Sequence, residues 1–391
     1  MATPPDTAAP TGPPLFPAGA LRDHQRLAEM RASGAAHAVD FGGWEHGWLL
    51  TGYDATVGAL VDPRLRGVPP QARAPQGGSG ELLDEEDLFF LPDPQHERLR
   101  RLIGGRLTPR RVAELAPRIQ HEIDTLLDGL PPGEPVDFVT EFAVPLPVAV
   151  LCELLGVPPD GRRYVGDYML GWLAESGAGV PVTESAGVAL AGYLTALIAE
   201  RRARPRTDLI SAMTSVGTDD DILSAVRLLL IAGHHPVTRL LGGGLEVLLR
   251  HRSLWTRLAA EPELSRTTVE ELLRLITPAM LATRYSQAGA ELNGEPLAEG
   301  TPVHCALVAA NRDPGPFPAP DTFDPDRPAH PHLAFGLGHK HCLGAALARS
   351  QMRMVIDTMA ARFPRMALTS TPAGAPDGHP FVVLDPTAAG E

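Results

Sequence analysis

The stretch from residue 219 to residue 250, "DDDILSAVRLLLIAGHHPVTRLLGGGLEVLLR", constrains the fold of this chain more than any other. Its apolar residues recur with helical spacing, and three aspartates stand at its start, where acidic side chains favour a helix N-terminus. The pattern predicts one long, buried helix. Yet Pro236 lies in its middle, and proline inside a helix costs roughly 3 kcal/mol because it removes a backbone hydrogen bond. Such a defect indicates that a kink is wanted there.

The rest of the chain has the same mostly helical pattern. Apolar spacing and capping residues predict helices over 20–33, 94–104, 110–130, 137–155, 161–175, 184–203, 206–214, 253–260, 264–275 and 345–363. Short strands are predicted over 37–41, 47–51, 291–293, 302–307 and 380–384. The 391 residues are therefore predicted to form a single domain that is mainly α with a minor β part.

Composition excludes several classes of protein. The net charge of −13 argues against general nucleic-acid binding. An apolar run of about 18 residues, which a membrane-spanning helix would need, is absent from the sequence. Residues 1–17 have neither the basic nor the apolar part of a secretory signal, and their Pro, Ala and Thr content predicts a flexible lead-in. A cytoplasmic protein is expected. The long segment 66–95 is typical of a functional lid.

The strongest local signal is Cys342 in "HLAFGLGHKHCLGAALARSQMRMVIDTMAARF". A glycine-rich loop delivers this cysteine just before a helical segment, where the helix dipole favours the thiolate. Such a thiolate is a good axial ligand for haem iron, and nearby glycines let the backbone approach a flat ligand. The alternative is a buried structural cysteine. The wide spacing of Cys152, Cys305 and Cys342 makes a disulfide framework or a zinc site improbable.

The segment "FGLGHKHCLG" resembles the haem-binding signature F-x-x-G-x-x-x-C-x-G of the cytochrome P-450 superfamily, in its soluble bacterial class. Phe335, Gly338, Cys342 and Gly344 fall on the fixed positions. The resemblance implies a P-450-type fold over residues 18–391, with haem b between the long central helix and the helix after the cysteine loop. It makes Cys342 the metal ligand.

Two further sets of residues match the family. Glu271 and Arg274 in "TVEELLRL" resemble its E-x-x-R pair, and Arg327 would complete a structural cluster that holds the cysteine loop. The resemblance also implies cationic contacts to the haem propionates. These would come from His96, Arg100, Arg284 and Lys340. Lys340 is the only lysine of the chain, at a position where bacterial relatives often have histidine.

The central helix departs from the family. Its usual pattern is Ala/Gly-Gly-x-Asp/Glu-Thr, whose acid and alcohol assist proton delivery during dioxygen activation. Ala232 and Gly233 match, but His235 replaces the acid and Pro236 the threonine. Pro236 would supply the kink and leave the Ala232 carbonyl without its helical partner. His235 is a candidate proton relay or, alternatively, a packed side chain, and His234 is interpreted as packed.

The resemblance implies a haem-thiolate monooxygenase that oxidises a specialised metabolite, as in antibiotic biosynthesis, by hydroxylation or epoxidation with non-standard proton delivery. Oxidative phenol coupling, ring closure and peroxide-driven oxidation stay open. A degenerate protein that only binds haem or a partner also stays open as an alternative. A cysteine-nucleophile enzyme is a further alternative, but the haem-binding signature accounts for the loop better. The expected substrate pocket is apolar or mixed, with residues Phe89, Phe90, Leu229, Ala279 and Met280.

The expected partners also follow from the resemblance. A ferredoxin with its ferredoxin reductase would deliver electrons, and Arg98, Arg101 and Arg106 are candidates for a basic docking patch. A carrier-protein-bound substrate is a further option. We expect a monomer.

Overall fold

The computed structural model describes residues 20–40, 47–67, 95–173, 184–370 and 379–384. The expected lead-in, Phe89, Phe90 and most of the expected lid lie outside these ranges. Within them, none of the helices combines the length and the apolar character that crossing a lipid bilayer requires.

The described chain is mostly helical, as the sequence predicts. In chain order the α-helices are α1 His24–Ser33, α2 Tyr53–Val61, α3 Gln95–Gly104, α4 Pro109–Asp128, α5 Pro145–Leu155, α6 Arg162–Leu173, α7 Glu184–Ala203, α8 Leu209–Thr214, α9 Asp219–Arg250, α10 Arg252–Ala260, α11 Ser265–Ile276, α12 Leu307–Ala310 and α13 Ala345–Arg362. The strands are β1 Ala36–Val39, β2 Gly47–Leu50, β3 Leu65–Arg66, β4 Pro135–Asp137, β5 Leu281–Ser286, β6 Glu291–Leu292, β7 Glu295–Pro296, β8 Pro302–Ala306, β9 Ala367–Leu368 and β10 Phe381–Val383.

The chain divides into two compact units. The sheet unit comprises residues 1–85, 279–322 and 328–342, and the helical unit comprises 86–278, 323–327 and 343–391. The expected boundary between a lead-in and one catalytic domain from residue 18 stays a prediction.

The sheet unit is built on a five-stranded sheet of order β1-β2-β8-β5-β3. Strands β2 and β8 pair in parallel, and the other neighbours are antiparallel. Val303 and Cys305 on β8 pack in a cluster with Leu60 of α2, whereas Ala306 packs in a second cluster with Leu27 of α1. The sheet is therefore covered on both faces, with side chains alternating between the two cores.

The helical unit is organised around α9, whose sequence predicted a long helix. Thr218 caps it, because its hydroxyl accepts the Asp221 N–H while the Asp221 carboxylate accepts the Thr218 N–H. The helix then continues through Pro236 to Arg250, and buried leucines and isoleucines line it. Its mostly buried length explains why the sequence is apolar on more than one face.

Several elements were missed from the sequence: the short α12, β3, β4, β7 and β9, and the longer α2 and β5. Helix α2 has no side-chain N-cap and an apolar composition that gives little helical periodicity, yet it buries Tyr53, Thr56, Ala59 and Leu60. Strand β5 lies directly after a helix and a proline, and long-range pairing with β3 and β8 stabilises it. In both cases tertiary packing outweighs the local signal.

Candidate active site

The loop that carries Cys342 is a tight, internally bonded turn. The Cys342 N–H donates to the Phe335 carbonyl at 2.9 Å, and the His341 N–H donates to the Gly338 carbonyl at 3.0 Å. The first of these bonds brings the backbone of Cys342 next to that of Phe335, and Cys342 itself is exposed. The loop therefore presents a thiol outward, in a fixed backbone setting.

The other two cysteines are unsuited to ligation. Cys152 and Cys305 are buried, and burial raises the pKa of each thiol to about 12. A thiol with so high a pKa stays protonated near neutral pH, and metals bind the thiolate. Exposure therefore separates Cys342 from both.

Glycine is required at position 338. Its φ of +74° is a backbone conformation that side chains with a Cβ rarely adopt. In addition, a Cβ at this position would lie 2.7 Å from the Leu60 carbonyl oxygen of α2. Gly336 also has positive φ, at 65°, whereas Gly344, the N-cap of α13, has a φ of −82° that any residue adopts. Phe335 is half-buried, with its ring centroid 6.3 Å from that of His341.

Arg284 is a buried cation on β5. It is 5% exposed, opposite Val303 of β8, and its Nη1 donates to the Thr283 carbonyl at 3.0 Å. Its Nε is buried and has no hydrogen-bond partner among the described residues. Burial lowers the pKa of Arg284, and a guanidinium still remains charged near neutral pH. An uncompensated buried N–H of this kind suits an anionic ligand.

Lys340 is half-buried and lies along the backbone at Gly67. A Cβ built on Gly67 would come within 2.9 Å of Lys340 Cε. The lysine stem therefore packs on the chain after β3 and does not extend into solvent. His96 and Arg100 stand one turn apart on α3, and Arg100 is half-buried.

A buried ion cluster forms around Glu271 in the helical unit. Arg274 donates to both carboxylate oxygens, Nη2 to Oε1 at 2.7 Å and Nε to Oε2 at 2.8 Å. Arg327 Nε donates to Oε1 at 3.2 Å, and the Asp324 N–H donates to the same atom at 3.1 Å. The structure thus brings together Glu271 and Arg274, the pair of the sequence motif, and Arg327, which the family resemblance adds to them. The carboxylate fixes α11 to the segment that carries Arg327.

Helix α9 has two different faces around its proline. Leu229, Ala232 and Pro236 share one face; Ala232 is exposed and the other two are half-buried. His234 and Thr238 lie on another face and are buried. His234 Nε2 donates to the Val144 carbonyl at 3.0 Å, and Thr238 Oγ1 donates to the Ala143 carbonyl at 3.1 Å.

The environment of each α9 side chain limits what it can do. Burial lowers the pKa of His234 to about 4, so its imidazole is neutral near neutral pH. His235 is half-buried. Gly233 faces α5, where an added Cβ would lie 2.9 Å from Leu151 Cδ2. Glycine at 233 therefore permits close packing of α9 on α5, a requirement that sequence reasoning did not identify.

The described residues of the expected pocket belong to different units of the chain. Leu229 belongs to the helical unit, whereas Ala279 and Met280 belong to the sheet unit. Ala279 is exposed. Met280 packs against the core around Leu27, and its carbonyl accepts the Val308 N–H at 3.2 Å. Met280 thus has a packing function in its own unit.

Two polar features near these elements were not selected from the sequence. Arg239 lies two turns after Ala232 on the same helix face and donates from Nη1 to the Pro278 carbonyl at 3.1 Å. His304 on β8 is hydrogen-bonded through Nδ1 to Thr283 Oγ1 at 3.0 Å, and burial lowers its pKa to about 4. A helical wheel would have found Arg239. The pairing of Thr283 with His304 needed the register between β5 and β8.

Comparison with known proteins shows to which family this chain belongs. The cytochrome P450 family model matches residues 197–371. Cytochrome P450 105C1 of a Streptomyces species is 36% identical over 344 residues, which cover 86% of this chain and 86% of that protein. Cytochrome P450 monooxygenase PikC of Streptomyces venezuelae is 33% identical over 376 residues, covering 92% and 90%.

The fold comparison agrees. The crystal structure of P450BioI in complex with hexadec-9Z-enoic acid ligated acyl carrier protein has a TM-score of 0.80 to this chain at 28% identity, over 93% of this chain and 99% of that one. The exposed Cys342 in its loop, the uncompensated Arg284 guanidinium and the Glu271 cluster suit a haem-thiolate enzyme. The chain therefore belongs to the cytochrome P450 family, as a monooxygenase-type enzyme whose cofactor is haem b.

Proposed function

We propose that this enzyme inserts oxygen into a small specialised metabolite, by hydroxylation or epoxidation, and that its own α9 side chains do not supply the usual alcohol for proton delivery. Oxygen insertion is supported by relatives such as the monooxygenase PikC. The part of the proposal that concerns proton delivery is carried by the face of α9 formed by Leu229, Ala232 and Pro236, which has no hydroxyl or carboxyl group. Thr238, the nearest hydroxyl along this helix, is buried on another face and bonded to the Ala143 carbonyl.

The residues that would hold haem fit its chemistry. Cys342 would supply the thiolate ligand of the haem iron, because it is the exposed cysteine of the chain. Arg284, Lys340, His96 and Arg100 would pair with the propionates, and the buried Arg284 Nε offers a donor that lacks a partner among the described residues. When bound, haem supplies the metal centre at which dioxygen is activated.

Proton delivery then depends on other groups near Pro236. Because Pro236 has no N–H, the Ala232 carbonyl lacks its helical donor and is available to an ordered water or a substrate hydroxyl. A substrate hydroxyl or water held there would serve as the proton donor in place of the missing threonine. His235 is the candidate relay that connects this position with solvent.

The proposed partners are a ferredoxin and its reductase in the cytoplasm, acting on a monomeric enzyme. Arg101 of α3 is exposed and Arg106 is half-buried, which supports a basic patch for an acidic ferredoxin. P450BioI was crystallised with an acyl carrier protein that bears a fatty acid. By analogy, a carrier-bound substrate is an option for this enzyme.

Oxidative coupling or ring closure without oxygen insertion is the second candidate, together with peroxide as the oxidant. The same observation favours it: a helix face without an alcohol or acid is less suited to repeated proton delivery. A degenerate haem-binding or partner-binding module is disfavoured, because Cys342, Arg284 and the Glu271 cluster are all retained.

The first experiment is the difference spectrum of the reduced holoprotein with carbon monoxide. A strongly red-shifted Soret band is expected from a thiolate ligand; haem without that shift, or folded protein that binds no haem, would overturn the proposal. Turnover of candidate metabolites under ¹⁸O₂ then separates the reactions. Incorporated label supports oxygen insertion, whereas coupled product without label favours the second candidate.

The variant Pro236→Thr addresses proton delivery. Because a substrate hydroxyl or an ordered water is proposed to replace the threonine, restoring the family's alcohol is expected to leave both haem binding and the product formed per electron supplied unchanged. A clear increase of that ratio in Pro236→Thr would contradict the proposed proton donor.

A further inference from the structure

Two of the first three residues of α5, Pro145 and Pro147, have no backbone N–H. The preceding residues, Val139 to Ala143, form a π-helical turn in which the Val144 N–H donates to the Val139 carbonyl at 2.9 Å. In a regular helix the Ala143 carbonyl would accept the N–H of residue 147. Proline has none. This carbonyl, buried with its residue, needs a donor from elsewhere.

Helix α9 provides that donor. Thr238 Oγ1 donates to the Ala143 carbonyl at 3.1 Å, in place of the missing Pro147 N–H. One turn earlier, His234 Nε2 donates to the Val144 carbonyl at 3.0 Å. Since a carbonyl only accepts, the neutral His234 imidazole carries its proton on Nε2. Two consecutive carbonyls of the α5 start are thus bonded to two α9 side chains at i and i+4.

These two bonds bracket the weakest turn of α9. Pro236 lies midway between His234 and Thr238, so each bond is two residues from the position where α9 loses its own backbone bond. Gly233 favours the close approach, because a Cβ there would lie 2.9 Å from Leu151 Cδ2 of α5 and would force this side chain to shift. The proline turn of one helix is therefore fastened to the proline turn of the other.

We propose that His234 and Thr238 are positioning residues, which hold the proline turn of α9 in one setting and thereby fix the face formed by Leu229, Ala232 and Pro236. This inference rests on the proposed function, in which that face borders the reaction. Neither residue touches the reacting atoms. Each acts through the backbone of α9, since a helix that has lost an internal bond is a natural hinge unless its flanking turns are held.

A double-mutant cycle tests the atom-level pairing. Thr238→Val keeps the shape but removes the hydroxyl, whereas Pro147→Ala restores the N–H that reaches the Ala143 carbonyl. Thr238→Val is expected to speed hydrogen exchange in the first turns of α5 about fivefold, and clearly less in the Pro147→Ala background. Thr195→Val is the matched control, because Thr195 is exposed and its hydroxyl donates to the Ala191 carbonyl of the same helix. Strictly additive effects would overturn the pairing.

The positioning itself is tested with carbon monoxide as a probe of the haem surroundings. In the reduced holoprotein, Thr238→Val and His234→Leu are expected to broaden or split the C–O stretching band, while Thr238→Ser and His234→Gln, which keep a donor, restore the wild-type band. Bands that stay unchanged in both apolar variants would overturn the inference. If the wild-type chain binds no haem, the proposed function fails, and the exchange cycle still decides whether the two helices are fastened as described.

Discussion

The Cys342 loop and the proline turn of α9 differ in how much of the family pattern they keep. In the loop, Phe335, Gly338, Cys342 and Gly344 all occupy the signature positions, and Gly338 is required by its positive φ and by contact with Leu60. In α9 the acid and the threonine are both replaced. The comparison teaches that backbone geometry permits few alternatives in the loop, whereas α9 keeps its helix although the side chains change; our proposal is that other donors deliver the proton there.

The largest expected effect concerns Cys342, in the loop that keeps the family signature. Cys342→Ser is expected to abolish the red-shifted band of the reduced protein with carbon monoxide and to abolish monooxygenase activity, because a hydroxyl is not an equivalent axial ligand. Cys152→Ala is the control: its thiol is buried with a pKa of about 12, and its loss is expected to leave the band in place. A retained band in Cys342→Ser would contradict the assignment.

The Glu271 cluster should be next in size. Glu271→Gln leaves Arg274 and Arg327 buried without their counter-charge, which is expected to lower the free energy of unfolding by about 3–5 kcal/mol. Glu270→Gln, a change at the neighbouring residue, removes the charge from the partly exposed pair with Arg349 and should cost less than about 1 kcal/mol. Denaturant unfolding measures both, and equal effects would show that the cluster does not hold the structure.

Acid is expected to lower the free energy of unfolding of each unit through one buried histidine, His234 in the helical unit and His304 in the sheet unit. The pKa values of His234 and His304 are lowered by burial from 6.5 to about 4. Between these values the unfolded chain binds more protons, so stability falls as pH decreases through this window. From about pH 7 to about pH 5 the expected loss is about 2 kcal/mol per histidine.

The pH effect is checked by unfolding His234→Gln and His304→Gln across this range. Each variant is expected to show a shallower decline of stability with acid than the wild-type chain. His121→Gln, which changes an exposed histidine of α4, should decline like the wild type. A decline that none of the three variants alters would contradict the histidine explanation.

The smallest expected effect concerns Lys340, a residue of the loop outside its four signature positions. Lys340→Met keeps the apolar stem beside Gly67 and removes the charge. We expect haem to be lost about fivefold faster to an excess of apomyoglobin, because one partly screened ion pair is worth about 1 kcal/mol. Lys340→Arg keeps a cation and should retain haem, whereas Lys340→His, whose imidazole is mostly neutral near pH 7, keeps a hydrogen-bond donor and should retain haem in part. Equal loss from all three variants would place Lys340 outside the propionate contacts.

Much of the candidate site was readable from sequence because its motifs are local. The cysteine loop, the pair at Glu271 and Arg274 and the long helix with its proline each occupy a short continuous segment, and their spacing alone predicts which side chains share a face. The interpretation of His234 as a packed residue needed only its place on the helix opposite Pro236. Helix caps and apolar periodicity were likewise sufficient for most helices.

Tertiary structure decided what depends on distant partners. Strand β5 exists because β3 and β8 pair with it, and α2 because the sheet covers its apolar face. Glycine is favoured at position 233 because the Leu151 side chain, 82 residues earlier in the sequence, packs close to it. Thr238 donates to the Ala143 carbonyl, which is also distant along the chain. Such contacts have no local sequence signal, since two chain segments define each of them. The sequence by itself therefore determined the family and singled out Cys342 as the candidate ligand, and only the fold decided how the altered central helix is held.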